Sequence, residues 1–162
     1  MLKRLGIITV MVMLLVFPVS AAMVSFQLVE TGLDQDAATG EYSRLWESGL
    51  MSVFFDAGYI VTSGPITRVE TVSESYLNGF LEVTLTEAFE GGADYFVLGF
   101  ITYSNQRGRA LPVAIDLRIY DSNSRQQIHR QSFPAGTGRN NGEELQLAQS
   151  AGMIVISHIE GR

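Results

Sequence analysis

Few residues of this chain have side chains that could act chemically on a substrate. The 162 residues include no cysteine and only two histidines, His129 and His158, which lie on different predicted elements. A zinc site needs about three protein ligands, with imidazole and thiolate preferred, so such a site is not expected. The lack of cysteine also excludes a disulfide, a thiol nucleophile and a lipid-modified N-terminal cysteine. The sequence therefore predicts no metal and no cofactor.

Motifs that hold a catalytic nucleophile or a nucleotide are also missing. The chain has no Gly-x-Ser-x-Gly elbow of an esterase, and residues 23–162 contain no lysine with which a phosphate-binding loop could end. Asp34 and Asp36 are spaced as at the start of a calcium loop, but Thr39 and Leu45 stand where that loop needs glycine and glutamate. The chain is accordingly predicted not to be an enzyme.

The distribution of charge along the chain is uneven. Residues 23–100 contain 12 acids and 2 arginines, whereas residues 101–142 contain six arginines and two aspartates. The six arginines are Arg107, Arg109, Arg118, Arg125, Arg130 and Arg139. Such a segment could present a basic surface to an acidic protein, or to anionic lipid or cell-wall groups. The alternative, which is slightly favoured, is that these arginines pair with acids of the neighbouring helices and form an ordinary solvated surface.

The N-terminal segment has the pattern of a secretory signal. The basic pair Lys3-Arg4 precedes a run of thirteen mostly apolar residues, and a Ser-Ala-Ala sequence then suits cleavage before Met23. Thirteen helical residues reach about 20 Å, which is short of the roughly 30 Å hydrocarbon core of a membrane. Residues 1–22 are therefore predicted to be a cleaved signal peptide, and residues 23–162 a single domain outside the cytoplasm. An uncleaved N-terminal anchor is the alternative, and it would be the only link to a membrane.

Hydrophobic periodicity predicts the elements that position these residues. Strands are predicted at 24–29, 59–62, 95–103, 113–120 and 126–133. Helices are predicted at 42–57, from an N-cap at Thr71 or Ser73 to Gly91-Gly92, and at 143–159. In the fourth strand, Val113, Ile115, Leu117 and Ile119 are predicted to face the core. The order β-α-β-α-β-β-β-α favours an α/β fold with some α+β character, in which three helices pack on a mixed sheet of about five strands.

The last two strands are predicted to form a hairpin. A two-residue turn would pair Ile119 with Ile128 on the core side of the sheet and Arg118 with His129 on the solvent side. Arg118, His129 and Arg130 are therefore the candidate contacts for a protein partner.

Residues 91–133 resemble a family of bacterial envelope domains. Gly91-Gly92-Ala93-Asp94, followed by the apolar strand up to Gly99, resembles the Gly-Ala-Asp-hydrophobic segment shared by CsgG, LpoB, FlgO and the N-terminal domain of TolB. The next strand, Asp121 and the return strand to Phe133 resemble the hairpin of that family. The order of the other predicted elements also matches, so the resemblance extends in architecture over nearly all of residues 23–162.

The resemblance implies a non-enzymatic periplasmic protein-interaction domain that assists assembly or regulation of the cell envelope. Peptidoglycan synthase activation, secretion, and flagellar or outer-membrane assembly are the processes it suggests. It implies an envelope protein as partner, leaves homo-oligomerisation open and carries no active site onto this chain. Nucleic acid is not expected for a secreted acidic protein. The alternative is a periplasmic protein that binds a small molecule or glycan, or a weak hydrolase, with a cleft beside residues 134–142.

Overall fold

The computed structural model describes residues 21–33, 40–70, 73–106, 109–134 and 140–161. Its elements, in chain order, are β1 (Met23–Thr31), α1 (Glu41–Asp56), β2 (Ile60–Ser63), β3 (Thr67–Val69), α2 (Glu74–Glu90), β4 (Tyr95–Gln106), β5 (Arg109–Asp121), β6 (Gln126–Pro134) and α3 (Asn141–Glu160). The predicted order of helices and strands is confirmed, with one additional short strand, β3. Most of the predicted signal peptide, up to residue 20, lies outside the described residues.

The six described strands form one mixed sheet, which confirms the predicted α/β class. The strand order is β2-β1-β4-β5-β6, and β3 pairs with β1 beyond the end of β2. β1 is parallel to β2, β3 and β4, whereas β5 is antiparallel to both β4 and β6. Gly64 and Pro65 lie between β2 and β3, and the proline lacks the N–H that a continuous strand would use. Three residues are too few for periodicity to predict β3.

Helices α1 and α3 lie side by side on one face of the sheet, here called the front face. The core beneath them includes Phe26, Leu28, Trp46, Leu50, Phe54, Leu117, Val155 and Ile159. A Cβ atom placed on Gly49 would lie 2.6 Å from Cβ of Ala148, and one placed on Gly152 would lie 3.4 Å from Cβ of Val53. Because 49 meets 148 and 53 meets 152, the two helices run parallel, and their small residues allow the backbones to approach closely.

Helix α2 crosses the opposite face of the sheet, here called the back face. Its Leu85 and Ala88 pack in one apolar cluster with Phe96 and Leu98 of β4. Ser73, one of the two predicted N-cap candidates, is the N-cap of α2, and its hydroxyl accepts a hydrogen bond from the backbone N–H of Tyr76, the third residue of the helix. The other candidate, Thr71, lies outside the described residues. Of the outer strands, β5 contributes only Tyr120 to this cluster and β6 contributes none of its residues, so among the described residues part of the back face stays open to solvent.

The hairpin between β5 and β6 has a different register from the predicted one. The pairing follows the prediction at the turn, but a bulge between Ile119 and Tyr120 then shifts it by one residue. Ile119 consequently pairs with His129, and Arg118 pairs with Arg130. The predicted pairs of Ile119 with Ile128 and of Arg118 with His129 are therefore wrong, because hydrophobic periodicity does not reveal one extra residue in one strand.

The prediction that Val113 faces the core is wrong, because a second bulge interrupts the pairing of β4 and β5 at this residue. Thr102 pairs with Ala114, whereas Tyr103 pairs with Pro112, so Val113 is left between the two pairs. Its side chain is exposed instead of facing the core. The other three core residues predicted for this strand are buried.

Candidate interaction surface

The open part of the back face carries a group of charged residues from the two outer strands. Asp116 and Arg118 of β5 pair with Ser132 and Arg130 of β6, respectively, so the four side chains are neighbours. The Arg130 side chain is 54% exposed, whereas those of Asp116 and Arg118 are 18% and 16% exposed. These four residues, here named the Arg-Asp-Arg cluster, form the candidate interaction surface.

Asp116 holds both guanidinium groups of this cluster. Its Oδ2 accepts hydrogen bonds from Nε and Nη2 of Arg118, both at 3.1 Å, and from Nη2 of Arg130 at 2.8 Å. Its Oδ1 accepts from Nε of Arg130 at 2.9 Å and from Oγ of Ser132 at 3.2 Å. The hydrogen bonds and the charge of Asp116 raise the pKa of Arg130 above its ordinary value. Since one carboxylate faces two guanidinium groups, the cluster keeps a net positive charge.

An aromatic contact also fixes the position of Arg118. Its Cζ lies 4.9 Å from the ring centroid of Phe100, within the range of a cation–π interaction. Burial raises the pKa of the neighbouring Tyr120, although Arg118 acts in the opposite direction, so this hydroxyl is neutral at ordinary pH. A guanidinium group held from two sides loses little further freedom when a ligand binds. Arg118 is thus preorganised, and Arg130 is the more accessible member of the pair.

The arginines of residues 101–142 do not share one environment. Arg118 and Arg130 pair with an aspartate of the sheet, so the expectation that they pair with acids of neighbouring helices is wrong for these two. Arg125, in the turn of the hairpin, lies with its Cζ 5.8 Å from the ring centroid of Phe89 in α2. Arg107 and Arg139 are outside the described residues.

His129 does not belong to this surface. Because of the bulge, it lies on the front face, where its ring stacks on that of His158 with the centroids 3.6 Å apart and the planes at 26°. Its Nε2 is buried and has no hydrogen-bond partner among the described residues. The prediction that His129 lies beside Arg118 on the solvent side is therefore wrong, and the three candidate contacts are divided between the two faces.

The stacked histidines lead to a prediction about pH. Burial, and secondarily the charge of His158, lower the pKa of His129 below its ordinary value of 6.5. As the pH falls through 6.5, the unfolded chain takes up a proton at this position before the folded protein does, so stability decreases. We expect the thermal unfolding midpoint of the wild type to fall more between pH 8 and pH 5 than that of His129→Phe, which keeps a ring to stack on His158. Parallel pH profiles would contradict this assignment.

A second polar cluster, at the N-terminal end of α1, was not predicted from the sequence. Glu30 of β1 is 1% exposed, and its Oε2 accepts hydrogen bonds from Nε and Nη2 of Arg68 at 3.2 and 2.7 Å. Its Oε1 accepts a hydrogen bond of 2.8 Å from the backbone N–H of Gly40. Nearby, the Tyr103 hydroxyl lies 2.7 Å from Oγ of Ser43, and burial raises the pKa of Tyr103 to about 12. These groups satisfy one another, so the cluster anchors the helix start to the sheet.

The chain also has a small cavity between α2 and the β1–β2 side of the sheet. Its volume is about 180 Å³, and its polar lining includes Ser25, Thr62, Thr84 and Glu87. In the part of the chain that the structure describes, no group of three or more His, Cys, Asp or Glu residues could hold a metal ion. The cleft predicted beside residues 134–142 falls mainly on residues that are not described.

Within the described ranges, no helix is both long enough and apolar enough to cross a membrane.

Comparison with known proteins gives one family and a set of solved structures. A family model with the description "Uncharacterised protein" matches residues 20–120. No curated protein sequence matches the chain.

The similar structures include three bacterial proteins. The PelC dodecamer from Paraburkholderia phytofirmans is 13% identical over 88% of this chain and 89% of that chain, with a TM-score of 0.49. The LpoB C-terminal domain from Salmonella enterica is 15% identical over 79% of this chain and 93% of that chain, with a TM-score of 0.43. TolB from Acinetobacter baumannii is 12% identical over 89% of this chain but only 29% of its own, with a TM-score of 0.48. LpoB and TolB are two of the proteins that the sequence resembles, and the similarity concerns the fold alone.

Proposed function

We propose that this chain, which belongs to the family whose model matches residues 20–120, is a non-enzymatic periplasmic protein-interaction domain. In this proposal the domain assists assembly or regulation of the cell envelope. The observation that carries this proposal is the Arg-Asp-Arg cluster on the open back face. Two guanidinium groups share one carboxylate there, and the more exposed one, Arg130, is held by two hydrogen bonds to Asp116. A fixed, net positive patch on a part of the sheet that no described helix covers suits recognition of an acidic protein partner.

The charge of the rest of the chain supports an acidic partner. Residues 23–100 carry 12 acids and only 2 arginines, so most of the molecule repels an acidic protein. The cluster then becomes the place where such a partner can approach without like-charge repulsion. Charge complementarity of this kind selects the orientation of the partner and increases the association rate. The proposed location in the periplasm follows from the basic and apolar N-terminal segment, which has the pattern of a signal peptide.

A second candidate function is binding of a small molecule or glycan, and the cavity beneath α2 is the observation that favours it. The hydroxyl groups of Ser25, Thr62 and Thr84 and the carboxylate of Glu87 line a volume of about 180 Å³. That volume suits a fragment or a single small polar molecule. A rise in the thermal midpoint with an envelope metabolite would support this function, since a ligand of the folded state stabilises it. Loss of that rise in Thr84→Val would assign it to the cavity.

Photo-crosslinking tests the protein-interaction function. The chain has no cysteine, so Ser132→Cys places a single thiol next to Arg130 on the back face. Labelled with a photo-crosslinker and irradiated in the periplasm, this variant should capture a defined envelope protein. Ser48→Cys is the matched control, because Ser48 is an exposed serine on α1, on the opposite face of the molecule.

A charge reversal makes the same experiment specific for the cluster. We expect Arg130→Glu to reduce the crosslinked yield about tenfold, because a like charge facing an acidic partner costs about 1.4 kcal/mol or more. The Arg130 side chain is half exposed, so the circular dichroism spectrum should stay that of the wild type. Equal capture by Ser132→Cys and Ser48→Cys, or capture that Arg130→Glu leaves unchanged, would overturn the proposal.

A further inference from the structure

The β6 strand forms one edge of the sheet. It spans nine residues and pairs with β5 on one side, and no strand among the described residues pairs with its other side. Backbone N–H and C=O groups of alternate residues therefore point away from the sheet, where a further strand could pair with them. An edge of this kind can bind an extended segment of another protein by strand addition, with main-chain hydrogen bonds providing affinity.

Two features set the length of the segment that this edge can accept. The bulge at Ile128 interrupts regular pairing at one end of β6, and Pro134, which has no N–H, ends the strand at the other. Between them, residues 129–133 are the regular part of the strand. Natural edge strands often carry a bulge or a proline that prevents pairing with another chain. Here the bulge and the proline leave a window of five residues with regular strand geometry.

The two faces beside this window have different chemistry. On the back face, Arg130 extends from the strand towards Asp116 and adds the net positive charge of the cluster. On the front face, Leu147 and Ile154 lie on the side of α3 that also carries His158, because these positions are separated by seven and four residues. Stacking of His158 on a histidine of β6 places this side of the helix above the edge strand.

The apolar residues on that front side are only partly buried. Ile154 is 38% exposed, and Ile128 and Leu147 are partly buried residues at the margin of the front core. A side chain from an added strand could complete their burial. The opposite edge offers no such contrast, because it consists of two short strands, β2 (Ile60–Ser63) and β3 (Thr67–Val69), whose one charged residue, Arg68, is paired with the buried Glu30.

We propose that residues 129–133 of β6 bind a short, extended segment of an envelope protein as an additional strand, and that acidic and apolar residues alternate in that segment. Its acidic side chains would face Arg130 on the back of the sheet, and its apolar side chains would contact Ile128 and Ile154 on the front. Alternation follows from the strand itself, in which successive side chains point to opposite faces. This inference rests on the proposed function and identifies the chemistry of the partner.

A second copy of the chain fits this edge less well than an acidic partner. The strands at its own open edges, β2, β3 and β6, contain no Asp or Glu and supply no carboxylate for Arg130. The charge of the cluster therefore favours a different protein with an acidic segment. Self-association at this edge would be seen as a concentration-dependent increase in mass by analytical ultracentrifugation, with slower amide hydrogen exchange within residues 129–133, and it would overturn the choice of partner.

Peptide binding measured by fluorescence anisotropy tests the inference. The probe is a fluorescein-labelled peptide of sequence TEVEVET, compared with TVEEEVT, which has the same composition without alternation. Two further probes carry N-methyl groups on alternate residues, one set in each probe, so that each blocks the hydrogen bonds of one edge. Strand addition requires that one N-methylated probe loses affinity about tenfold or more, while the other stays within about threefold of the parent.

Variants of the protein assign the binding site. We expect Arg130→Gln to weaken binding of the alternating probe about fivefold, with a smaller effect of added salt than in the wild type. Ser48→Ala, on the other side of the molecule, should bind as the wild type does. Bound probe should also slow amide hydrogen exchange within residues 129–133.

The outcomes separate this inference from the proposed function. Equal binding of TEVEVET and TVEEEVT, or equal loss with both N-methylated probes, would overturn strand addition. If Ser132→Cys still captured an envelope protein in that case, the interaction function would stand with a different mode of contact. If the probe bound at β6 but no envelope protein were captured, the proposed function would fail while the edge remained a peptide-binding site.

Discussion

Replacing Arg68 with methionine should lower the free energy of unfolding by about 3–5 kcal/mol, as measured by urea denaturation. Glu30, its partner, is 1% exposed, and both guanidinium hydrogen bonds to its Oε2 would be lost. Methionine keeps much of the apolar stem of arginine, so the main change is a buried carboxylate without its cation. The hydrogen bond from the Gly40 N–H would remain, but one neutral donor does not offset the loss of a full charge.

A second variant separates charge from packing. Glu30→Gln combined with Arg68→Met removes both charges and keeps an amide oxygen that can accept from the Gly40 N–H. We expect this double variant to recover at least half of the stability that Arg68→Met loses. A loss below about 1 kcal/mol for Arg68→Met, the range of exposed ion pairs, would show that solvent reaches Glu30 and that the cluster does not anchor α1.

Replacing Gly49 with alanine should destabilise the protein by about 1–3 kcal/mol, because the two front helices would have to separate. The added Cβ would lie 2.6 Å from Cβ of Ala148 and 3.2 Å from the backbone oxygen of Leu145. Neither atom belongs to the flexible end of a long side chain, so the strain cannot be relieved locally. Thermal and urea unfolding of the two proteins would measure the difference.

Two variants make the Gly49 result interpretable. Gly79→Ala in α2 is the matched control, because a Cβ at this exposed helical position would meet no atom within 4 Å. It should stabilise the protein by about 0.5–1 kcal/mol through helix propensity alone. Ala148→Gly should remove part of the clash, so the double variant with Gly49→Ala should show a favourable coupling energy of about 1 kcal/mol. Independent effects at 49 and 148 would contradict the close contact of the helices.

The predicted consequences for function depend on a different part of the molecule. Arg68 and Gly49 act on α1 and the front face, whereas the Arg-Asp-Arg cluster lies on the back of β5 and β6. A stability variant such as Gly49→Ala should therefore reduce the amount of folded protein without changing partner choice. Arg130→Glu should do the reverse, and this contrast distinguishes a contact residue from a structural one.

The order and type of the main elements could be predicted from local sequence patterns. Each is coded by local periodicity: the apolar positions of α1 repeat at helical spacing, and Ile115, Leu117 and Ile119 alternate along β5. The start of α2 was narrowed to two candidates, Thr71 and Ser73, because the hydroxyl of an N-cap needs only an N–H within the same turn. The start of α3 was placed at Glu143, two residues after its observed start at Asn141. The basic character of the hairpin likewise follows from composition, as does the candidacy of Arg118 and Arg130, whose role as partner contacts stays a prediction.

Which of these residues come into contact depends on the tertiary structure. A single extra residue at a bulge moved His129 to the front face and paired Arg118 with Arg130, because the side-chain period of a strand is two and one residue inverts it. The position of Asp116 on the same face as Arg118 could have been predicted, since side chains alternate along a strand. Its contact with Arg130, however, depends on the pairing of two strands. The burial of Glu30 by Arg68 and Gly40 could not be predicted, because these residues are brought together only when β3 and the start of α1 close over the end of β1.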